Sequence, residues 1–386
     1  MRKSSRPCTG APPRHDTSAR TTGIPGGGHG RRGSTGIGTD AGTDIDTGHR
    51  SPFGPRSPFG HRRRRARPLA ALALAFAGLL TVAPAATAQP STAGGYALST
   101  AVVLPGEAVY PESITRDPDS GDLYVSSFGS GTVYRAAPGQ STATVFLPAG
   151  TDGRTAALGV VLDHAGRLWV ADSGGATVYD TVTGGRLARF TTPDPAQSLV
   201  NGLTTAPDGS VYLTDSLTGS VYRVTPAQFA QAVADGGTAG LAARWDLSAI
   251  LPRQPAGTAR LNGVVAAPNG AFLLVVDQPT GTLYRLDPAT GAVRTVSLCG
   301  PAPVYGDGMH LEGGTLWIAQ MNSDTISRLG VSATGRAAVV EAQAVDADLR
   351  RPTALVRGDG ALYVTRSQFG LTAPDPVFTV AAVTGF

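Results

Sequence analysis

A repeated pattern of about 45 residues constrains the fold of this 386-residue chain more than any other feature. Each unit has a glycine, a strand-forming run rich in aromatic residues, a polar turn, and a second strand-forming run. A further short apolar run precedes each glycine, so one unit holds three to four strands. The glycines are separated by 45, 43, 61, 44 and 46 residues and are Gly121, Gly166, Gly209, Gly270, Gly314 and Gly360. Six such units predict an all-β chain folded as a six-bladed β-propeller.

A propeller must close its ring, and two strand-like segments at opposite ends of the repeats are suited to this. They are residues 96–104 and 377–383. Pairing them within one blade removes two exposed strand edges, so we predict that closure. Residues 89–386 are then expected to form one domain, a single six-bladed β-propeller.

The 61-residue interval between Gly209 and Gly270 contains a helix signal. Thr225 is a candidate N-cap, Pro226 suits the first helical position, and Gly236 and Gly237 follow the run. We therefore predict a short helix over residues 226–234, inserted between blades. Two roles remain open: the helix covers one mouth of the ring, or it decorates a loop.

The first 88 residues differ from the rest in composition. Residues 1–60 are rich in Gly, Pro, Arg, Ser and Thr, which predicts a disordered basic leader. Residues 61–88 hold four consecutive arginines, an apolar stretch of about 15 residues and the sequence Ala-Thr-Ala, which indicates a signal peptide cleaved after Ala88. The stretch is shorter than the roughly 20 residues of a membrane-spanning helix. We expect a secreted, extracellular bacterial protein that is not held at a membrane after cleavage.

Charge and composition exclude several functions for the propeller region. Residues 1–88 carry 14 Lys and Arg with 4 Asp and Glu, whereas residues 89–386 carry 18 Arg, no Lys and 24 Asp and Glu. The positive charge thus belongs to the leader, and no nucleic-acid partner is expected. One cysteine, Cys299, and two histidines, His164 and His310, are too few for a Cys- or His-rich zinc site. The region also lacks a G-x-S-x-G elbow and a Walker A lysine.

Four oxygen-bearing side chains recur near one place in the repeat. Glu112 lies nine residues before its anchor glycine, Asn201 and Asn262 lie eight before, and Asp307 lies seven before. We take Leu158 and Pro352 as the corresponding residues of the other two blades. Because equivalent positions in a propeller converge on its axis, the four oxygen donors are expected to meet at one end of the channel. Two carboxylates and two amides without nitrogen or sulfur ligands suit Ca²⁺, or another hard divalent cation.

A purely structural interpretation competes with this metal site. Asn-Gly and Asp-Gly are strong turn dipeptides, and they occur at Asn201-Gly202, Asn262-Gly263 and Asp307-Gly308. However, separate turn dipeptides follow at Asp208-Gly209 and Asn269-Gly270, so one role does not explain both sets. Glu112 is not a turn residue.

These segments resemble the metal-ligand segments of a known family. Pro-Glu-Ser from Pro111, Val-Asn-Gly-Leu from Val200, Leu-Asn-Gly-Val from Leu261 and Gly-Asp-Gly-Met from Gly306 are similar to those of the SMP-30/gluconolactonase/luciferin-regenerating-enzyme-like propellers. The resemblance covers essentially the whole repeat region and preserves the order of the ligands. It implies a Ca²⁺-dependent hydrolase of lactones or related esters. In that case Glu112, Asn201, Asn262 and Asp307 are metal ligands, and Asp307 is the catalytic carboxylate.

The sequence also departs from the family. Sugar-lactone members have an arginine where this chain has Leu199, so a more apolar lactone or ester is at least as plausible a substrate. His310 replaces a carboxylate that holds a second calcium in the related phosphotriesterase, which argues against that second site. Arg260 and Trp317 are further pocket candidates, although the repeated aromatic position of Trp317 favours core packing.

Two other functions stay open at this point. The chain could be a secreted propeller of the NHL type that binds partners without catalysis, since a fold alone does not fix function. The metal could also be real but purely structural, tying the blades together.

Overall fold

Each sequence repeat forms one sheet in the computed structural model, which describes residues 95–386. The glycine that anchors each repeat lies in the turn after the first strand and has a φ between +70° and +82°. Glycine adopts this left-handed conformation without the steric cost that a Cβ atom brings. The predicted leader at residues 1–60, the signal peptide at residues 61–88 and the cleavage site after Ala88 lie outside the described residues.

Six sheets make six blades, and their strands are numbered along the chain. Blade 1 consists of β2 (Pro111–Arg116), β3 (Leu123–Ser127), β4 (Val133–Ala136) and β5 (Thr144–Leu147). Blade 2 consists of β6 (Val160–Leu162), β7 (Arg167–Asp172), β8 (Gly175–Asp180), β9 (Arg186–Thr191) and the added strand β13 (Thr238–Gly240). Blade 3 consists of β10 (Val200–Thr205), β11 (Val211–Asp215), β12 (Ser220–Val224) and β14 (Ala243–Asp246).

The other three blades follow the same plan. Blade 4 consists of β15 (Leu261–Ala266), β16 (Leu273–Asp277), β17 (Thr282–Leu286) and β18 (Val293–Thr295). Blade 5 consists of β20 (Gly306–Glu312), β21 (Thr315–Gln320), β22 (Thr325–Val331), β23 (Ala337–Val345) and the added strand β19 (Ser297–Cys299). Blade 6 consists of β24 (Pro352–Gly358), β25 (Ala361–Arg366), β26 (Phe378–Thr384) and β1 (Ala97–Leu104). The predicted six-bladed all-β propeller is confirmed.

The ring closes as predicted. The first strand of the described region, β1, pairs antiparallel with the last, β26, with Ala97 opposite Thr384 and Leu104 opposite Phe378. The innermost strands β2, β6, β10, β15, β20 and β24 each contact the innermost strands of both neighbouring blades. The first and the last strand of the described region therefore complete one blade. Six innermost strands enclose the channel.

The hydrophobic core is divided into six clusters, one at each interface between neighbouring blades. Both faces of every sheet are covered, which explains why the strands read as nearly continuous apolar runs. The repeated aromatic position lies in these clusters. Trp317, for example, is 2% exposed and packs with Leu355 and Val364 between blades 5 and 6. The core-packing interpretation of Trp317 therefore holds.

The predicted helix is present as α1 (Pro226–Ala234). Thr225 and Gln228 form a reciprocal capping box at its N-terminus, and Pro226 occupies the first turn. The helix contacts β9 and β13 of blade 2, and Phe229 packs near the rings of Trp169 and Phe190. The predicted position between blades is wrong, because α1 lies between β12 and β14, which both belong to blade 3. The helix decorates this connection within blade 3 by covering part of blade 2. Within residues 95–386, no helix has the length and hydrophobicity that a membrane crossing requires.

Candidate metal centre and active site

A bulge interrupts the innermost strand near its start in five of the six blades. In blade 3, Val200 pairs with Asp215 and the next paired residue is Leu203, so Asn201 and Gly202 are left out of the ladder. The same break leaves out residues 112–113, 262–263, 307–308 and 353–354. A bulge bends its strand and redirects a side chain. Glu112, Asn201, Asn262 and Asp307 are each the first residue of such a bulge.

The bulges correct one part of the sequence alignment. In blade 6 the first bulged residue is Thr353, whereas we aligned Pro352 with the four oxygen donors. The turn after the first strand is shorter in this blade, so a constant distance from the anchor glycine points one residue too early. Thr353 is 1% exposed, and its hydroxyl lies 2.8 Å from that of Thr365 and donates to the Pro111 carbonyl at 3.2 Å. In the bulged blades, strand pairing resumes two residues after the first bulged residue. In blade 2 the first paired residue is Val160, opposite Val170, so Leu158 holds the equivalent position as we assigned it.

The glycines beside the oxygen donors are required for space, and the turn interpretation of them is wrong. Gly202, Gly263 and Gly308 lie inside strands and have no positive φ. A Cβ atom on Gly202 would lie 2.3 Å from the Asn262 carbonyl oxygen, and one on Gly263 would lie 2.3 Å from the Asp307 carbonyl oxygen. Real Cβ atoms essentially never come this close to a backbone oxygen. The small residue lets neighbouring innermost strands approach each other, which draws the four side chains together.

Glu112, Asn201, Asn262 and Asp307 line one cavity of about 320 Å³ in the central channel. Their exposed fractions are only 6%, 7%, 3% and 4%. The residues that the sequence singled out from blades 1, 3, 4 and 5 are thus brought to one place. Arg260 is directed elsewhere, because its guanidinium pairs with the buried Asp277 carboxylate at 3.0 Å.

Burial makes the two carboxyl groups poor acids. It raises the pKa of Glu112 from 4.5 to about 7, partly offset by a hydrogen bond from the Asn201 side chain. It also raises the pKa of Asp307 well above its ordinary value, and the charge of Glu112 adds to this rise. Hydrogen bonds from the Asn262 side chain and the Gly308 N–H act in the opposite direction on Asp307. Two carboxyl groups share this buried site, and each disfavours ionisation of the other.

The site lacks positive charge of its own. In the part of the chain that the structure describes, no ion pair includes Glu112 or Asp307. One carboxylate oxygen of Glu112, Oε2, is buried without a hydrogen-bond donor. Buried charges are normally paired or bound to metal, so this oxygen fits a cation. The described residues contain no cluster of three or more His, Cys, Asp and Glu side chains.

Two features lie at the same strand ends as the four donors, which we call the mouth of the site. Gln278, which follows β16, is 4% exposed, and its Nε2 donates a hydrogen bond to Asp307 Oδ2 at 3.2 Å. Tyr110, directly before β2, stacks on Phe369 with ring centroids 5.9 Å apart, and Phe128 meets Phe369 edge-on at 5.2 Å. All three rings are half-buried. Gln278 and this aromatic cluster were not predicted from the sequence, because only a strand end followed by a loop marks their positions.

His310 lines the same cavity as the four donors and lies three residues after Asp307 on β20. It lies opposite Trp317 in the ladder of blade 5, with ring centroids 6.0 Å apart. Burial lowers the pKa of its imidazole. Its place beside an aromatic ring gives no support to a second cation site.

Comparison with known proteins identifies the same family as the sequence motifs. A family model described as the SMP-30/Gluconolactonase/LRE-like region matches residues 110–368. No curated protein matches the chain. A luciferin-regenerating enzyme is similar in structure, with a TM-score of 0.55, 16% identity, and coverage of 76% of this chain and 96% of that chain.

Two further structures share the fold. A calcium-binding protein, regucalcin, from Agrobacterium tumefaciens has a TM-score of 0.53 and 16% identity, with coverage of 73% of this chain and 91% of that chain. Virginiamycin B lyase from Staphylococcus aureus has a TM-score of 0.50 and 11% identity, with coverage of 75% and 99%. The family model spans most of the chain and all four blades that supply the donors. The chain is therefore a member of the SMP-30/gluconolactonase/LRE-like family.

Proposed function

We propose that this protein is a Ca²⁺-dependent hydrolase of lactones or related esters. The observation that carries the proposal is the buried group of two carboxylates and two amides, which has no cationic partner and leaves Glu112 Oε2 unsatisfied. Membership of the family and the fold shared with a calcium-binding regucalcin support it. The four side chains offer only oxygen ligands, which suits a hard cation.

In this proposal Glu112, Asn201, Asn262 and Asp307 hold the cation. The bound cation would polarise a substrate carbonyl and stabilise negative charge that develops on its oxygen. Asp307 is the catalytic carboxylate: it takes a proton from the attacking water or attacks the carbonyl carbon itself. Both roles require the ionised form, which Asn262, Gly308 and Gln278 favour by donating hydrogen bonds. Burial keeps bulk water from competing for these groups.

The walls of the mouth favour a substrate with an apolar substituent. The cluster of Tyr110, Phe128 and Phe369 offers aromatic surface beside the strand that carries Glu112. Leu199, next to the strand that carries Asn201, is buried in the core between blades 2 and 3 and supplies no charged donor for a sugar hydroxyl. We therefore expect aryl esters and alkyl-substituted lactones to react faster than sugar lactones.

Hydrolysis of a panel of aryl esters, alkyl lactones and sugar lactones, with Ca²⁺ and with chelator, tests the function. We expect activity with Ca²⁺ that disappears with chelator, and a loss of at least about 100-fold in kcat for Asp307→Asn. In chelator, the melting temperature of Asp307→Asn should stay at or above that of the wild type, because the substitution removes a buried carboxyl group that interacts unfavourably with Glu112. Undiminished turnover by this variant would contradict the catalytic role. Calcium binding without turnover on any substrate would instead indicate a structural cation in a binding propeller.

We also propose that the protein is exported, with cleavage after Ala88. The arginine run, the apolar stretch and the small residues before that position support this. Expression in a secreting bacterial host, followed by N-terminal sequencing of protein from the medium, tests it. A start at Gln89 is expected, and retention of the full chain in the cytoplasm would contradict export.

A further inference from the structure

We infer that Gln278 is a positioning residue that orients the Asp307 carboxylate for cation binding and turnover. This inference rests on the proposed function. Gln278 lies in the loop that follows β16 in blade 4, whereas Asp307 lies in β20 of blade 5. Its side-chain amide crosses this interface and donates to Asp307 Oδ2 at 3.2 Å. No other hydrogen bond between two side chains joins the loops of the mouth to the four donors within the described residues.

The main chain holds Gln278 in place from both sides. Its N–H donates to the Arg260 carbonyl at 2.8 Å, and its carbonyl accepts from the Tyr305 N–H at 2.7 Å. The first bond ties it to the start of the innermost strand of blade 4, and the second ties it to the residue just before β20. Pro279 follows and restricts the backbone further. The amide group is therefore supported by both blades between which it acts.

The side chain is buried enough for its orientation to matter. It is 4% exposed, and Asp307 is also 4% exposed. A buried carboxylate is oriented by the donors that contact it, and losing one leaves an oxygen free to rotate or to remain unsatisfied. Groups that hold metal ligands in this way typically change metal affinity or activity by 10–100-fold when they are replaced.

A second buried glutamine near the same mouth does not contact the Asp307 side chain. Gln320 is 5% exposed and ends β21 in blade 5, but its amide donates to the Val304 carbonyl at 3.2 Å and accepts from the Ser327 hydroxyl. Gln320 therefore offers a matched control. Its replacement removes a buried amide of the same size near the same mouth without touching Asp307.

The test compares Gln278→Met with Gln320→Met, since methionine keeps the length of the side chain and removes the donor. Calcium affinity is measured by isothermal titration calorimetry, and kcat and KM are measured on the best ester of the panel. For Gln278→Met we expect calcium affinity and kcat to fall by about 10–100-fold, with KM within about threefold of the wild type. For Gln320→Met we expect a similar or larger drop in melting temperature but unchanged calcium affinity.

A double-mutant cycle separates positioning from general destabilisation. In an Asp307→Ala background, Gln278→Met should cause no further loss of calcium affinity, because the group that Gln278 orients is absent. Equal losses in both backgrounds, or wild-type affinity and kcat for Gln278→Met, would overturn the inference. If the wild type fails to bind calcium, both the proposed function and this inference are overturned. If the wild type and Gln278→Met bind calcium equally well, only the inference is overturned.

Discussion

At the scale of single residues, the distinguishing feature is a pair of carboxyl groups buried without positive charge. Glu112 and Asp307 come from blades 1 and 5 and interact through their charges. Folding without a cation therefore costs either the free energy of burying two like charges or a shift in protonation. Protonation and cation binding are competing ways to remove this cost.

The competition predicts how stability depends on pH. Burial raises the pKa of Glu112 from 4.5 to about 7, so the folded, cation-free protein keeps a proton that the unfolded chain releases between these values. A group that binds its proton more tightly when folded stabilises the protein at low pH and loses that effect as pH rises. We expect the melting temperature in chelator to fall between about pH 5 and pH 8, and added Ca²⁺ to raise it most at the higher pH.

Glu112→Gln is the control for this pH dependence. The amide has the same shape and does not titrate, so its melting temperature in chelator should vary less over the same range. Differential scanning calorimetry at several pH values measures both proteins. An equal pH dependence in the two proteins would show that Glu112 does not carry the effect.

The glycines beside the donors give a second prediction at this scale. Gly202→Ala places a Cβ atom 2.3 Å from the Asn262 carbonyl oxygen, so blades 3 and 4 must separate. Overpacking of this kind typically costs about 1–3 kcal/mol in the free energy of unfolding. We also expect weaker calcium binding, because Asn201 and Asn262 would move apart.

Gly240→Ala provides the comparison, since no atom lies within 4 Å of a Cβ at that position and its φ is not positive. It should change stability by less than about 0.5 kcal/mol. Chemical denaturation measures both variants. A Gly202→Ala protein as stable as Gly240→Ala would contradict the role of glycine in bringing the blades together.

The four oxygen donors could be predicted from the sequence because each combines a distinctive side chain with a nearly constant place in the repeat. Thr353 was missed because the turn length varies between blades, and the bulge, which fixes the true equivalence, leaves no mark in the sequence. Gln278 was missed for another reason. Its contact with Asp307 crosses between blades, so no local spacing predicts it.

At the scale of elements, sequence patterns predict those helices and strands that are stabilised by residues close to them in the chain. The helix α1 was predicted with its limits because its capping box and N-terminal proline involve neighbouring residues. The added strands β13 and β19 were not predicted. Each has three residues and exists only by pairing in parallel with the outer strand of a blade, β9 or β23.

Thr225→Ala tests the local character of α1. Loss of the capping hydrogen bond to the Gln228 N–H should reduce the free energy of unfolding by about 1 kcal/mol. Calcium affinity should be unchanged, because the helix packs on blade 2, which supplies none of the four donors. Thermal unfolding and calcium titration of the variant measure the two effects. A loss of calcium affinity with Thr225→Ala would show that the insertion is coupled to the site.

At the scale of the whole molecule, the repeat determined both the number of blades and the way the ring closes. The pairing of β1 with β26 could be predicted because each end alone would leave an exposed strand edge. The ring then carries four donors from blades 1, 3, 4 and 5 to one end of the channel. A cation bound there would connect blades that lie far apart in the sequence, so its binding should stabilise the ring as a unit.

The most direct measurement is isothermal titration of the purified, chelator-treated protein with Ca²⁺ at about pH 8, with Glu112→Gln and Asp307→Asn as variants. We predict one ion bound per chain, and a loss of affinity of more than about 100-fold in each variant. Binding by the wild type that both variants retain would place the cation elsewhere. The absence of any binding would contradict the metal site itself.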